Sequence, residues 1–531
     1  MSLLKHVGTI GGLTMVSRVA GMAREMIFSR VLGANAVTDA WFQAFIIPNV
    51  FRRLFAEGAF SAAFVPMFSK RLHGSGEIGG GKEQGLESAR SFSNDVLGVF
   101  LPVLIALVAV FLIAMPGVIW LLADKPVDPV EHDMAIDLAR IMFPYIVLVS
   151  LVTLFTGMLN AVSRFAPGAS FPIILNVVLI AALLVGERWM AATGASVSQV
   201  AYGIAWAVTG AGVMQLAWLY YWVRVEGFRP RIQRPKLTPE VKRMATIALP
   251  AAIGGGAYQI NTLVQLYFLN QLASGSVSHM NYADRLNQLP LGIIGIALST
   301  AILPTLSRFV GANNREGAAR IQSDAIELAM LLTIPAAVAL ALCATPFVTM
   351  IFQGGRFDLA DAAATGQVLA ALVVGLPAYV LVKVLVPNFY ARSDTRTPVY
   401  AAFISLAVFV AFNIAFLQRF GVVGVAWASV VGAWINVGFL YAVLVRRDYY
   451  RVPGALMLRI GRQLVAAAAM GVALWFARDL LAGWYAAGLL ERLGALLVLV
   501  LCAGIVYFGV AFATGAIDRQ RIAALTSKRA S

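Results

Sequence analysis

Charge is scarce in this chain. Only 13% of its 531 residues are Asp, Glu, Lys or Arg, against 60% drawn from AVILMFWYC, and mean hydropathy is +0.80. A soluble chain of this length could not cover its surface with so few charges. Cysteine is nearly absent: Cys343 and Cys502 both lie in apolar runs, which excludes a disulfide scaffold and reads as small core residues. The four histidines, His6, His73, His132 and His279, show no ligand spacing, so no metal site is expected. Walker, HExxH and GxSxG patterns are all missing, which leaves no built-in ATP drive and no hydrolase constellation. The chain is therefore not expected to be an enzyme, and no cofactor is expected. No small-residue cleavage site follows an apolar stretch near Met1, so the first span reads as an uncleaved anchor.

What remains is apolar sequence in long runs, each sufficient to cross a bilayer. Fourteen segments are expected, at 9–33, 38–67, 95–123, 134–162, 169–186, 197–223, 244–271, 278–307, 321–352, 362–390, 398–417, 422–445, 457–477 and 493–515. Their length and continuity indicate helices rather than barrel strands. With a cytoplasmic N-terminus, the inside segments hold 27 of the 41 Lys and Arg and the outside loops hold six. That asymmetry orients the chain with both termini in the cytoplasm. It also makes the +15 net charge a matter of topology and attraction to anionic lipid rather than a nucleic-acid footprint.

Two short patterns recur. Pro66 to Lys70 resembles Pro304 to Arg308, and Asn160 to Pro167 resembles Ala391 to Pro398. Chance similarity of Pro/Ser motifs is one explanation. The other is duplication into parallel six-helix lobes. The expected organisation is an N-lobe at 1–223, a basic cytoplasmic linker at 224–243, a C-lobe at 244–447, and two further helices with a tail at 448–531.

Eight cations fall inside the expected spans: Arg18, Arg24, Arg30, Arg52, Arg53, Arg140, Arg285 and Lys383. Burying Arg at a helix centre costs about 2.5–3.5 kcal/mol on insertion scales, so such residues face water or a partner. Arg30 can snorkel to the headgroups. Arg53 can pair with Glu57 and Arg140 with Asp137 at helical spacing. Asp39 can cap the second span or act in gating. Arg18, Arg24, Arg52 and Arg285 lie deep, with few acids available, and point to a cationic cavity for a polyanion, because guanidinium groups meet phosphate oxygens in bidentate fashion. Ser17, Asn49 and Asp284 lie in the same spans. Gly and Pro within these spans, such as Gly21, Pro48, Gly58 and Pro290, fit either bending or ordinary close packing.

The stretch from Thr38-Asp39-Ala40 through Pro48-Asn49-Val50-Phe51-Arg52-Arg53-Leu54-Phe55-Ala56-Glu57-Gly58 to Pro66 resembles the signature of the MurJ/MviN family. Ser17-Arg18-Val19, Ala23-Arg24, Ala273 to Ser278, Tyr282-Ala283-Asp284-Arg285-Leu286, Gly295 to Leu298, Phe352-Gln353 and Thr397-Pro398-Val399 extend the likeness along the chain. The family belongs to the multidrug/oligosaccharidyl-lipid/polysaccharide exporter superfamily. The resemblance implies an all-α polytopic membrane fold of fourteen transmembrane helices, with two six-helix lobes around a central cationic cavity. Helices 13 and 14 would form a groove for a lipid tail. It implies alternating-access flipping of lipid II, an undecaprenyl-diphosphate-linked disaccharide-pentapeptide, across the bacterial inner membrane for cell wall synthesis. Arg18, Arg24, Arg52 and Arg285 would engage the diphosphate, Asp39 would be important for activity, and Ser17 and Ser278 would line the cavity. Partners would be lipid II, membrane lipids and cell-wall synthesis or division proteins. Gln288 stands where some relatives carry an acid, and the acids of a sodium site known in some relatives are missing from spans 7 and 11. The rival readings are a cation-coupled multidrug exporter, an exporter of another polyprenyl-diphosphate-linked oligosaccharide, and a non-transporting scaffold. Five arginines against three acids in the first two spans argue against the first.

Overall fold

The computed structural model describes residues 3–53, 60–74, 82–123, 129–485 and 488–516. They are helical almost throughout. The first nine helices are α1 (Leu3–Leu32), α2 (Ala36–Arg52), α3 (Phe60–Gly74), α4 (Lys82–Leu122), α5 (Pro129–Met142), α6 (Tyr145–Ala161), α7 (Phe165–Thr193), α8 (Val197–Val225) and α9 (Pro239–Leu269). Then α10 (Ser276–Pro290) passes through a π-helical turn, Leu291–Gly295, into α11 (Ile296–Gly311). The remainder are α12 (Arg315–Leu342), α13 (Ala344–Phe352), α14 (Leu359–Val373), α15 (Leu376–Tyr390), α16 (Arg396–Arg446), α17 (Gly454–Leu480), α18 (Ala482–Tyr485) and α19 (Leu489–Ala513). Glu57 and Gly58 lie outside the described residues.

This is an all-α, multi-span membrane fold. Among the described residues nine helices are long and apolar enough to cross a bilayer. One of them, α16, is two helices joined across Gly421, whose φ of 55° and ψ of −139° break the helical path. The break falls between the runs expected at 398–417 and 422–445. Outside the nine, besides the short α13 and α18, are α1, α2 with α3, α9, and α10 with α11. Of these, α1, α9 and α10 hold Arg18, Arg24, Gln259, Asn261, Asp284 and Arg285, polar side chains that depress their hydropathy.

The helices pack into two compact units, Met1–Ser278 with Gly354–Phe357, and His279–Gln353 with Asp358–Ser531. The first has a phenylalanine core in which Phe64 stacks on Phe68 at 5.3 Å and on Phe92 at 5.7 Å. Val241 and Met244 of α9 join that core, which places α9 in this unit. In a bilayer such contacts stabilise through packing and dispersion, since lipid is as apolar as the core. Small residues allow the approach: a Cβ on Gly186 of α7 would lie 2.6 Å from Cγ1 of Val200 on α8. The second unit is built on Leu306, Ala329, Phe389, Leu440, Met470 and Leu499. There the Tyr507 hydroxyl donates to the Leu331 carbonyl at 2.9 Å, satisfying a polar group that lipid could not.

Each unit contains the same pair of turns. After α6, Ser163 adopts φ 61° and the Arg164 N–H donates to the Leu159 carbonyl at 2.9 Å. After α15, Ser393 adopts φ 58° and the Asp394 N–H donates to the Phe389 carbonyl at 2.9 Å. These are Schellman closures, with a non-glycine residue held in the left-handed region. The ends of α8 and α16 match likewise, Phe228 donating to the Val223 carbonyl and Tyr449 to the Leu444 carbonyl, with Gly227 and Asp448 at positive φ. The recurrence at Asn160 to Pro167 and Ala391 to Pro398 is thus a recurrence of backbone geometry.

Candidate functional site

The cationic candidates of the first unit sit on α1 and α2. Arg18 is exposed and Ser17 half-buried, while Arg24 is half-buried beside a buried Glu25. The Arg24 guanidinium donates to Glu25 Oε1 at 2.5 Å and to Asn176 Oδ1 at 3.1 Å. Asn176 on α7 in turn donates through Nδ2 to the Ser17 carbonyl at 3.1 Å. One asparagine therefore joins Ser17 and Arg24 along α1, lying over Gly21 with its Nδ2 3.7 Å from where a Cβ would be, an ordinary contact distance. Glu25 is 5% exposed, so Arg24 carries its own counter-charge.

On α2, Asn49 Nδ2 donates back to the Phe45 carbonyl at 3.1 Å, and Asn49 Oδ1 accepts from Arg52 Nε at 3.2 Å. That bond orients Arg52 at the end of a helix already interrupted by Pro48. Arg53 is exposed and stands as the C-cap residue. The pairing expected between Arg53 and Glu57 lies outside the described residues. The expected pairing of Arg140 with Asp137 is replaced: Arg140 Nε donates to the Leu112 carbonyl at 3.2 Å, and Asp137 accepts from the Tyr202 hydroxyl at 3.2 Å.

Asp39 has another role than capping its own helix. Asn35 does that, its Oδ1 accepting from Val37 N at 3.0 Å and Thr38 N at 3.2 Å. Asp39 is 2% exposed and reaches residues 236 and 239 positions away in the chain. Its Oδ2 accepts from Gly275 N at 2.6 Å, and its Oδ1 from Ser278 N at 2.8 Å and from the Ser278 hydroxyl. These N–H groups belong to the start of α10, where the first turn of a helix leaves donors unpaired. A carboxylate there also complements the helix dipole. Close by in the same unit, Gln43 donates to Asn270 Oδ1 at 2.6 Å and to Glu131 Oε1 at 3.4 Å, and Ser274 donates to Glu131 Oε2 at 3.2 Å. Sequence reading singled out neither Asn176 nor this network. Isolated Asn and Gln residues in apolar runs were the available signal, and nothing in the spacing said which would meet.

In the second unit, Asp284 and Arg285 are half-buried on α10. Gln288, one turn on, donates through Nε2 to Asp284 Oδ2, so at this position an amide meets the acid. Of the candidate set, the structure joins Asn49 with Arg52, Asp39 with Ser278, and Asp284 with Gln288 directly, and Ser17 with Arg24 through Asn176. Among the described residues no group of three His, Cys, Asp or Glu could hold a metal ion.

The model of one protein family, described as lipid II flippase MurJ, matches residues 28–495. A probable lipid II flippase MurJ of Rhizobium meliloti is 40% identical over 538 residues, covering 100% of this chain and 97% of that protein. A lipid II flippase MurJ of Burkholderia cenocepacia is 33% identical, covering 97% of this chain and 98% of its own. Among solved structures, a lipid II flippase MurJ in an inward closed conformation superposes with a TM-score of 0.75 at 23% identity, over 94% of this chain and 97% of that one. An inward-facing multidrug resistance MATE family transporter of the MOP superfamily superposes with a TM-score of 0.64 at 17% identity, over 83% and 98%. Those two likenesses speak to fold; the family model and the full-length relatives speak to descent. The chain belongs to the MurJ lipid II flippase family.

Proposed function

We propose that this membrane protein flips lipid II from the cytoplasmic to the periplasmic leaflet of the bacterial inner membrane by alternating access, and so supplies peptidoglycan synthesis. The observation that carries the reading is kinship along the whole chain, 40% identical to a probable flippase over its full length, combined with arginines on the very helices that are too polar to be simple spans. The nine apolar helices, the second half of α16 beyond Gly421, and the four polar ones together make fourteen spans. They would form two six-helix lobes, 1–223 and 244–447, about a cationic cavity, with 224–243 as linker and both termini cytoplasmic.

Arg18, Arg24, Arg52 and Arg285 would engage the diphosphate, replacing the water it loses on entry. Asn49 would aim Arg52, and Asn176 would aim Arg24. Asp39 with Ser278 would act as a gate, and Asp284 with Gln288 would set the position of Arg285. The isoprenoid tail would lie against the last two spans. An apolar cavity of about 270 Å³ between α12, α17 and α19, lined by Pro335, Ala339, Met470, Leu474, Ala503 and Tyr507, supports that assignment. Closing the lobes would follow neutralisation of the arginines by substrate, since a ligand shifts an equilibrium only through its differential affinity for two states.

The test is translocation of lipid II by the purified chain in vesicles, read by protease or dye access to the outer leaflet. The expected result is transport that falls at least tenfold in each Ala variant of Arg18, Arg24, Arg52 and Arg285. Full transport by all four variants would end the diphosphate reading. Export of drug cations in place of lipid II would favour the multidrug reading.

A further inference from the structure

We propose that the segment 229–237 is a binding surface for anionic glycerophospholipid headgroups, held rigidly at the membrane interface. Between residues 224 and 243 stand seven Lys and Arg and only two acids. Both acids are engaged outside the segment: Glu226 with Arg164 Nε at 2.7 Å, and Glu240 with Arg71 at 3.1 Å. None of the seven cations forms an ion pair among the described residues, and all seven are exposed. Segregating cations to one side explains charge near a membrane. It does not explain the other residues that this segment presents.

Ile232 is 73% and Leu237 66% exposed, interleaved with Arg229, Arg231, Arg234 and Lys236. Large apolar side chains left uncovered by the protein beside unpaired cations have a natural complement in the headgroup region, where phosphates meet acyl chains. The segment is also fixed in place. Phe228 is fully buried at one end, 5.4 Å from the Phe68 ring, and Thr238 caps α9 at the other, accepting from Val241 N. Between them Arg231 N donates to Asn94 Oδ1 at 2.9 Å. The Gln233 carbonyl lies 3.0 Å from where a Cβ on Gly98 would be, so the segment rests closely on the backbone of α4 and a side chain there would shift it by a few tenths of an ångström. Arg90 donates to the Gly227 carbonyl, and Pro230 and Pro235 remove further freedom. The exposed Tyr221 and half-buried Trp222 at the end of α8 mark interfacial depth, as aromatic girdles do. A strap so anchored loses little entropy when lipid binds, which favours selective binding over a diffuse cloud of counter-ions.

The experiment uses the full chain with Cys343→Ala and Cys502→Ala, a nitroxide at Ile232→Cys, and nanodiscs of phosphatidylcholine alone or mixed with phosphatidylglycerol. Relaxation by oxygen and by a nickel chelate reads the depth of the label. The expected result is a label shielded from nickel in the anionic discs and wet in the neutral ones, with high salt reversing the shift. Each Gln substitution at Arg229, Arg231, Arg234 or Lys236 is expected to lower the immersed-to-wet ratio by up to about fivefold. A second label at Leu237→Cys guards against a local defect at 232. Equal depth in both lipids, or immersion that survives all four Gln substitutions, would overturn charge recognition. A label that stays wet in anionic discs yet is shielded by an acidic polypeptide would also overturn the proposal, assigning the surface to a protein.

Discussion

At Arg24 a structural role and the proposed role toward the diphosphate fall on one side chain. Its 2.5 Å bond to the buried Glu25 means that Arg24→Ala takes the cation away from a buried carboxylate, and breaking a buried pair in this way costs up to about 3–5 kcal/mol. Loss of activity in that variant alone would therefore be ambiguous. The double variant Arg24→Ala with Glu25→Ala removes both charges. It is expected to regain most of the thermal stability in detergent while transport stays at least tenfold down. Recovery of both together would reduce Arg24 to a structural role. Asp39 permits a sharper substitution. Its two oxygens receive three donors, and Asn would turn one acceptor into an amide facing an N–H. Asp39→Asn is expected to lose about 2 kcal/mol, read as a lower Tm. A variant as stable as the parent would mean that the start of α10 does not depend on this carboxylate. Arg and Asp in apolar runs were conspicuous in sequence because lipid penalises them. Their pairings were not, since Asn176 and Ser278 are joined to them only by the fold.

At the level of helices, charge interrupted the apolar pattern where the fold interrupts its spans, and so the long apolar runs such as α4 and α7 were legible. The break at Gly421 was marked by the Arg419 to Gly421 interval. The π-helical turn at Leu291–Gly295 had no comparable sign, because Pro290 and the following glycines fit a bend, close packing or neither. The turn after α15 is the element most open to a pH test. Asp394 accepts from Arg396 N at 3.1 Å and Thr397 N at 3.0 Å, and its other oxygen accepts from the Thr397 hydroxyl at 2.6 Å and from Arg447 at 2.5 Å. Burial pushes its carboxyl upward, but the bonds from Thr397 and Arg447 outweigh that and bring it down from 3.8 to about 2. A carboxyl lowered on folding contributes stability that is complete above the unfolded value and disappears as pH falls towards the folded one. The window is thus from about pH 4 down to about 2. The contribution is on the order of 2 kcal/mol at most, reduced because Arg447 is 45% exposed and screened by solvent. Asp394→Asn is expected to melt lower than the parent at pH 7 and to flatten the decline between pH 4 and 2. Parallel melting curves across that range would refute the assignment.

For the molecule as a whole, orientation decides what the proposed cavity would do. Arginines that gather a diphosphate from the cytoplasm export it; the same arginines in the reverse orientation would import it. Lys and Arg concentrate in the segments at 68–93, 224–243, 308–320 and 446–462, while 124–133 carries four acids and one lysine. The orientation that a polytopic chain takes on insertion is set chiefly by such loop charges and not by packing, which forms later. The fold is compatible with either direction, so this property is written in the loops alone. Reporter fusions that fluoresce only in the cytoplasm or fold only in the periplasm measure it directly. Fusions within 229–237, at 312–314 and at 391–395 are expected to report the cytoplasm, and those at 194–196, 354–355 and 478–484 the periplasm. A uniform reversal would convert the proposed export into import and detach the charge asymmetry from topology. A single discordant loop would be more informative still, because it would remove one span from the count and leave every later loop on the wrong side. Moving the cations from 224–243 to 194–196 tests the cause: loop charge predicts a local inversion about α8, whereas a packing-determined topology would leave every reporter unchanged.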